Sequence, residues 1–564
     1  MQSYFIRLVI ITVTYLMPLS STQAASAGIA SAHPLATQAG HQILEKGGNA
    51  FDAAIAVTAV LAVVEPYASG IGGGGFWLLH EVKSGKTVML DGREKAPLKA
   101  HRDLYLNKSG NIIPGLSITG SLASGIPGVP AGLTHLAKHY GNLPLSVTLK
   151  PAIDIARKGF VIDSSYRLYA KLRLRSLRKD PEAARIFLYK NNVPPVGYLL
   201  KQPDLAATLS SIATSGRTGF YHGAIADKLI TGVKKNKGIW SHKDLSDYKL
   251  VERKPVSFTY NGATITTASL PSSGGIVLAQ IFGMLSQFPY AKLDTAHKMH
   301  LLIETMRRAY ADRAKYLGDP DQFTVPVSKL LDKTYIKKMA ATIDMKEATP
   351  SVLLSPIPLT SGGNGTDTTH FSILDKAGNR VAATLSINYP FGACVVPPGT
   401  GVLLNDEMDD FSSKPGEPNA YGLVGAEANA IAPGKRPLSS MSPTFVESKH
   451  GLAILGTPGG SRIISMVMLG ILDYLNGDNA KNIVSHRRIH HQYLPDKVIF
   501  EDDALSAKTL KYLKKLGHQV QEKTTPYGGG MGVYGNMQIV IYDKKNKKVT
   551  AASDPRGHGI AIVQ

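Results

Sequence analysis

Two adjacent threonines, Thr368 and Thr369, stand where a glycine-rich loop ends and a strand-like segment begins. Residues 361–365 form the loop, and apolar and polar residues mix from His370 onward as in a strand. A threonine hydroxyl is a poor nucleophile unless a base lies within hydrogen-bonding distance. Cleavage directly before Thr368 would supply one, because a free α-amine has a pKa of about 7.7–8.0 and can act as a general base. The residues raise this hypothesis, but such a pair is also ordinary at the start of a strand.

Other features exclude several common kinds of site. The glycine-rich segments 69–75 and 271–275 are not followed by Lys and then Ser or Thr, so neither is a phosphate-binding P-loop. Cys394 is the single cysteine of the chain. This excludes an intrachain disulfide and a zinc site built on cysteines.

Length and composition describe a globular protein with an excess of basic residues. The chain has 564 residues, 43% hydrophobic and 19% charged, which excludes a disordered or fibrous protein and predicts one or two large domains. Lys and Arg number 63 against 42 Asp and Glu, a net charge of +21. A basic surface can bind nucleic acid, anionic lipid or acidic polymers. Because the chain has no RNP, zinc-finger or Gly-Arg motif, we expect a solvated basic surface and no nucleic-acid partner.

Residues 1–24 have the pattern of a signal peptide. Arg7 precedes the apolar stretch Leu8–Met17, and small residues follow it. The alternative is an uncleaved membrane anchor. No later stretch reaches about 18 uninterrupted apolar residues, and the best, Ala53–Val64, is predicted to be a buried helix. We therefore expect a periplasmic or secreted protein without a stable membrane span.

The rest of the chain mixes helices with antiparallel strands. Apolar residues spaced three and four apart predict a helix that starts at Asp294 or Thr295 and reaches Ala314, and another helix is expected at 465–475. Short strand-like segments separated by turns predict hairpins of 370–374 with 381–385, 444–446 with 452–455, and 537–541 with 549–551. Such sheets covered by helices indicate a layered α+β fold. Segment 343–366 is loop-forming, as either an inter-domain linker or a processing site.

A series of ordered motifs resembles the γ-glutamyltransferase family (γ-glutamyl transpeptidases). In the second half of the chain the motifs begin at Thr368 (TTHFS), Asn388 (NYPFG), Leu404 (LNDEMDDFS), Lys435 (KRPLSSMSPT) and Gly456 (GTPGGSRI). In the first half they begin at His33, Gly47, Asp91 and Tyr310. They run in order over nearly the whole mature chain, so the set is specific although each motif is modest.

The resemblance implies an N-terminal-nucleophile hydrolase fold, which is a four-layer αββα sandwich. It also implies self-cleavage between Asp367 and Thr368. The products would be a large subunit of residues 25–367 and a small subunit of residues 368–564, held together as a heterodimer because they share one core. No cofactor and no metal are expected.

The resemblance also implies the catalytic roles. Thr368 would attack the γ-carbonyl of a γ-glutamyl donor such as glutathione and form a γ-glutamyl ester, while its own amine takes and returns the proton. Ser386 matches a second hydroxyl that hydrogen-bonds the nucleophile, at a position where the family usually has Thr. Gly459 and Gly460 match the backbone N–H donors of an oxyanion hole, each worth about 2.7–4 kcal/mol.

Charged and polar residues match the family's binding site for the glutamyl end of the donor. Arg93 corresponds to the arginine that binds the α-carboxylate with both arms of its fork, and Asp410 corresponds to the acid that binds the α-ammonium. The remaining positions are the hydroxyl helpers Ser439 and Ser440, the neighbours Glu407 and Asn388, and Tyr421 in the lid loop 414–422. A mobile lid would exclude water from the ester, which partitions between hydrolysis and transfer.

Several residues depart from the family pattern or allow another interpretation. Pro390 is unusual there and restricts Tyr389 to extended backbone. Cys394 replaces a small polar residue and is expected to pack in the interior. The histidines 486, 490 and 491 look like metal ligands, but the pair at 490 and 491 matches a family feature with no metal role. We therefore expect structural hydrogen bonds from them.

The main hypothesis is an exported γ-glutamyltransferase and glutathione hydrolase, with water, amino acids or peptides as acceptors. One alternative is a related N-terminal-nucleophile acylase that acts on a β-lactam or another amide. Arg93 together with Asp410 favours the first, because they suit a substrate that carries both charges. A second alternative, from a different class, is a catalytically silent binding protein at the envelope surface.

Overall fold

Two antiparallel β-sheets pack face to face at the centre of the protein. The structure is a computed structural model, and it describes residues 26–354, 368–419, 421–522 and 534–564. The seven-stranded sheet contains, in spatial order, β18 (Ile560–Val563), β1 (Gly28–Ser31), β9 (Thr369–Leu374), β10 (Arg380–Ser386), β2 (Gly74–Glu81), β3 (Lys86–Gly92) and β6 (Val251–Arg253). The six-stranded sheet contains β17 (Lys548–Ser553), β16 (Gln538–Asp543), β12 (Gly451–Gly456), β11 (Thr444–Ser448), β8 (Ala263–Thr267) and β7 (Val256–Tyr260). A two-stranded sheet contains β4 (Phe160–Val161) and β5 (Leu199–Leu200). A three-stranded sheet contains β13 (Ile489–His490), β14 (Val498–Phe500) and β15 (Val520–Glu522).

Helices cover the outer faces of both central sheets. They are α1 (Pro34–Glu45), α2 (Ala50–Val64), α3 (Val129–His139), α4 (Leu145–Thr148), α5 (Lys150–Lys158), α6 (Ser164–Leu177), α7 (Pro181–Phe187), α8 (Pro203–Ser215), α9 (Thr218–Tyr221), α10 (Gly223–Lys235), α11 (His242–Ser246), α12 (Gly274–Leu285), α13 (Thr295–Tyr316), α14 (Val327–Leu330), α15 (Lys333–Ala341), α16 (Ile463–Leu475), α17 (Ala480–Ser485) and α18 (Ala507–Lys515). α2 packs on β9 and β10, whereas α12 and α16 pack on the six-stranded sheet. The resulting αββα order confirms the predicted layered α+β fold.

The predicted helices form where the sequence supplies both a cap and an apolar face. Every residue of α2 is buried, and Asn49 with Asp52 forms a capping box at its start. α13 begins directly after Asp294, whose side chain accepts the N–H of His297. Both agree with the prediction. Within the described ranges, no helix has the length and apolar character needed to cross a membrane.

The predicted hairpins pair in the expected antiparallel sense. β9 pairs with β10, β11 with β12, and β16 with β17. Thr368 directly precedes β9, so the candidate nucleophile lies at the end of a strand in the middle of the seven-stranded sheet. The predicted signal peptide and Asp367 lie outside the described residues.

Candidate active site

Two hydroxyl groups meet at one end of the central strands. Thr368 precedes β9, and Ser386 is the last residue of the neighbouring strand β10. The Thr368 hydroxyl donates a hydrogen bond to Ser386 Oγ at 3.5 Å. Both side chains are buried. The antiparallel pairing of these strands is therefore what brings residues eighteen positions apart into contact.

The chain after β10 turns sharply beside this pair. Asn388 has a φ of 74°, in the left-handed region that asparagine tolerates better than most residues. Its N–H donates to Ser386 Oγ at 2.8 Å, and its side chain donates to the carbonyl of Asp406 at 3.0 Å. The Tyr421 hydroxyl donates to the Asn388 carbonyl at 2.9 Å. These bonds place Asn388 next to the hydroxyl pair despite the unusual Pro390 that follows.

A buried ion cluster centred on Arg93 lies in the same cavity. Arg93 follows β3, and its guanidinium donates to Glu407 Oε2 at 2.5 Å and to Asp410 Oδ2. Glu94 lies 3.4 Å from the same guanidinium. Glu407 and Glu94 are almost fully buried, whereas Asp410 is partly open to solvent.

Two carboxyl groups of this cluster, those of Glu94 and Glu407, are shielded from water. Burial raises the pKa values of Glu407 and Glu94 above the ordinary range, and the charge of Arg93 offsets only part of that effect. Both arms of the Arg93 fork are already engaged by protein carboxylates. A ligand carboxylate must therefore share Arg93 with these acids or replace one of them.

Arg313 is a second arginine that lines this cavity, and the sequence motifs did not predict a role for it. Arg313 donates to the hydroxyls of Ser273 at 3.0 Å and Ser440 at 3.2 Å, and it forms no ion pair within the described part of the chain. Burial lowers its pKa below the usual arginine value. A signal was available, because Arg313 follows Met306 and Tyr310 at helical spacing and so interrupts the apolar face of α13.

The two glycines predicted as backbone donors lie between β12 and α16. Gly459 and Gly460 have φ values of 134° and 57°, which side-chain-bearing residues rarely adopt. A Cβ atom on Gly460 would lie 2.2 Å from the ring of Tyr421, so the tyrosine packs directly over this backbone. A Cβ atom on Gly459 would collide with Met466 at 2.4 Å. Glycine is therefore favoured at Gly459 by its backbone φ, and at Gly460 by both its φ and the Tyr421 ring.

One small cavity brings most of the predicted site residues together. The predicted residues that line it are Arg93, Thr368, Ser386, Asn388, Glu407, Asp410, Tyr421, Ser439, Ser440 and Gly460. Gly459 is not among the described residues that line the cavity, although it adjoins Gly460. The lining residues without a predicted role are Arg313, Leu423, Leu438, Met441, Ser461 and Ile463. Ala420 of the predicted lid loop lies outside the described residues.

The histidines and the cysteine singled out in the sequence each have a partner within the protein. His486 Nδ1 lies 2.9 Å from Asp473 Oδ2. His490 bonds to Ser465 and Gln492 at 2.8 Å each, and His491 bonds to Asp496 at 3.1 Å. Cys394 is buried and accepts from Arg173 Nε at 3.3 Å. Such contacts suit the structural role expected for these residues, which stays a prediction.

Known proteins resemble this chain over most of its length. The sequence profile of the Gamma-glutamyltranspeptidase family matches residues 36–564. A glutathione hydrolase proenzyme from a Pseudomonas species is 44% identical over 500 residues, which are 87% of this chain and 86% of the relative. Helicobacter pylori gamma-glutamyltranspeptidase is 42% identical with a TM-score of 0.56, over 58% of this chain and 94% of that structure.

A cephalosporin acylase from Bacillus halodurans has the same overall architecture. Its TM-score is 0.83 at 26% identity, and the match covers 99% of both chains. Together with the family match, this similarity confirms the predicted N-terminal-nucleophile hydrolase fold. The chain therefore belongs to the gamma-glutamyltranspeptidase family of enzymes.

Proposed function

We propose that this protein is an exported γ-glutamyltransferase that cleaves the γ-glutamyl amide of glutathione and related compounds. The γ-glutamyl group passes through an ester on Thr368 to water, an amino acid or a peptide. The observation that carries the proposal is the shared cavity of the Thr368–Ser386 hydroxyl pair and the Arg93 ion cluster. The relative named glutathione hydrolase proenzyme supports the same class of donor.

The nucleophile arises from cleavage of the bond between Asp367 and Thr368. The freed amine of Thr368 takes the proton of its own hydroxyl as the oxygen attacks the γ-carbonyl, and it passes the proton to the departing amine. Ser386 holds the nucleophile in position, since its Oγ accepts the Thr368 hydroxyl in the resting state. Water or an amine acceptor then attacks the ester by the reverse proton path.

Backbone N–H groups stabilise the negative oxygen that forms during attack. Gly460 lines the same cavity as the hydroxyl pair, and Gly459 precedes it in the same tight turn. Such donors act strongly because they are fixed before the reaction and lie in a site of low water content. The Tyr421 ring covers this turn and limits access of water to the ester.

The charged groups suit a donor that carries both an ammonium and a carboxylate. Asp410 is the most accessible acid of the Arg93 cluster, so the donor α-ammonium can take it over as an ion-pair partner. This exchange frees one arm of Arg93 for the α-carboxylate. Arg313 adds a second positive charge on the same wall, beside Ser440.

We expect the Arg313→Met variant to raise KM for γ-glutamyl-4-nitroanilide by roughly tenfold, because charged hydrogen bonds contribute about 1.5–3 kcal/mol. The turnover number should fall less, since the hydrogen bonds of Arg313 go to Ser273 and Ser440. Steady-state kinetics of variant and wild type measure both quantities. Lys315→Met removes an exposed cation from the same helix and should leave KM unchanged. An unchanged KM in Arg313→Met would remove this arginine from the binding site.

The cleaved pieces, residues 25–367 and 368–564, are proposed to remain one heterodimer. β1, β2, β3 and β6 come from the first piece and β9, β10 and β18 from the second, within a single sheet. β9 pairs with β1, and β10 pairs with β2. Separation would break both of these strand pairs and expose the core between the sheets.

The similarity to a cephalosporin acylase keeps acylase activity as the second candidate. Release of 4-nitroaniline from γ-glutamyl-4-nitroanilide and from glutaryl-4-nitroanilide separates the two, because glutaryl lacks only the α-ammonium group. A γ-glutamyltransferase should strongly prefer the first compound. Equal rates would favour an acylase, and no release from either would favour a silent binding protein.

Mass spectrometry of the purified protein would locate both the export cleavage and the internal one.

A further inference from the structure

A two-stranded hairpin outside the central sheets presents aliphatic side chains to solvent. β4 pairs with β5 so that Phe160 lies opposite Leu200 and Val161 lies opposite Leu199. Phe160 and Leu200 are buried, whereas Val161 and Leu199 are 59% and 47% exposed. The solvent face of an antiparallel pair is normally polar, so two facing aliphatic side chains there point to a binding role.

The loop that leads into β5 extends this apolar surface. Val196 is 62% exposed, and the next residue, Gly197, donates its N–H to the Ile162 carbonyl at 2.9 Å. This bond fixes the loop against β4. Tyr189 is 40% exposed, and its ring lies 5.0 Å from the ring of Tyr198. Exposed apolar side chains thus lie both on the hairpin and on the loop that leads into β5.

The same region concentrates the positive charge of the protein. Residues 157–201, all of them described, contain eleven Lys and Arg but three Asp and Glu, a net charge of +8 out of +21 for the whole chain. The three acids already have structural partners. Asp163 and Asp180 cap α6 and α7, and Glu182 is paired with Arg185. The acids therefore do little to neutralise the exposed basic side chains.

Three exposed lysines lie close in the chain to these apolar side chains, and Lys158 precedes Phe160 of β4 by two residues. The side chains of Lys201 and Leu199 both lie over Gly159. A Cβ atom built on that glycine would be 2.9 Å from each of them, so the two side chains are neighbours. The Lys190 ammonium lies 5.4 Å from the centre of the Tyr189 ring. Within the described residues, Lys158, Lys190 and Lys201 form no ion pair. The hairpin patch is defined as Val161, Tyr189, Val196 and Leu199 with Lys158, Lys190 and Lys201.

We propose that the hairpin patch binds the surface of a phospholipid bilayer that contains anionic headgroups. Lysines are attracted to such a surface, while short aliphatic side chains enter the boundary between headgroups and acyl chains. Tyrosine suits the same boundary because its ring is apolar and its hydroxyl is polar. A soluble polyanion would attract the lysines equally but would not bury Val161 and Leu199 in an apolar phase.

The test is sedimentation of the protein with vesicles of phosphatidylcholine, with or without phosphatidylglycerol, at low and high salt. The combined Lys158→Gln, Lys190→Gln and Lys201→Gln variant should bind anionic vesicles roughly tenfold or more weakly. The matched control replaces Lys544, Lys545 and Lys547, which lie in an exposed turn elsewhere, with Gln, and it should bind like wild type. All proteins carry the same N-terminus, so the comparison isolates the patch.

The combined Val161→Ser and Leu199→Ser variant tests the apolar part. It should reduce the vesicle binding that survives high salt, because screening weakens attraction between charges but leaves apolar burial intact. Turnover of γ-glutamyl-4-nitroanilide should stay unchanged in all variants, which reports that they are folded. Loss of binding in the control lysine variant, no effect of the two serines, or no binding of wild type to anionic vesicles would each overturn the proposal.

Discussion

The Thr368→Ala variant is expected to remain one uncleaved chain and to lose turnover of γ-glutamyl donors by roughly 10³-fold or more. Both effects have one cause, because the same hydroxyl would start chain cleavage and then attack the donor. Ser386 cannot substitute for it, since its Oγ already accepts the Asn388 N–H and it lacks a terminal amine. A denaturing gel and intact-mass measurement report cleavage, and 4-nitroaniline release reports turnover.

Two further variants keep this result interpretable. Thr368→Ser retains the hydroxyl and should still be cleaved and active, although more slowly. Thr259→Ala makes the same chemical change on an exposed strand position and should behave like wild type. An active Thr368→Ala protein, or full activity from an uncleaved wild-type chain, would contradict the proposed mechanism.

Local patterns in the sequence predicted the elements that position this nucleophile. The β9–β10 hairpin follows from two strand-like segments joined by a short turn, and α13 follows from its apolar spacing and its Asp294 cap. These elements could be predicted from the sequence because the apolar spacing and the caps that form them involve residues close in the chain. The four-layer architecture and the choice of Thr368 depended on the family resemblance, since isolated threonines carry no such information.

The contacts within the cavity could not be predicted in the same way. Arg93 meets Glu407 and Asp410 across more than three hundred residues of sequence, so no local pattern records the pairing. The resemblance described Arg93 as a carboxylate-binding fork, yet in the structure protein acids occupy both arms. The role of Gly460 likewise depends on the distant Tyr421 ring packed against it.

The Arg93→Lys variant is expected to lower kcat/KM for γ-glutamyl donors by roughly 100-fold, equivalent to about 2.7 kcal/mol. Lysine keeps the positive charge, but one ammonium cannot reproduce two parallel N–H donors. It therefore cannot hold Glu407 while it exchanges Asp410 for the donor carboxylate. The kinetics should show a raised KM with cleavage at Thr368 retained.

A matched change at Arg185 separates loss of the fork from loss of the site. Arg185 binds Glu182 through Nε and Nη2, at 2.9 and 2.5 Å, and is not among the described residues that line the cavity. Arg185→Lys should therefore leave kcat/KM unchanged. If it lowered kcat/KM as much as Arg93→Lys, the effect would reflect general loosening of the fold.

Removing the charge altogether should affect folding as well as binding. In Arg93→Met, Glu94, Glu407 and Asp410 lose their shared cation, and breaking a buried ion pair on one side costs about 3–5 kcal/mol of unfolding free energy. Because burial already raises the pKa values of Glu94 and Glu407, these carboxylates can take up protons, which neutralises part of the negative charge left without a partner. The stability deficit of Arg93→Met should consequently shrink as the pH falls, whereas a binding defect caused by the missing fork should persist. Denaturant unfolding at several pH values, beside donor KM, distinguishes the two contributions, and a pH-independent deficit would rule out this account of the cluster.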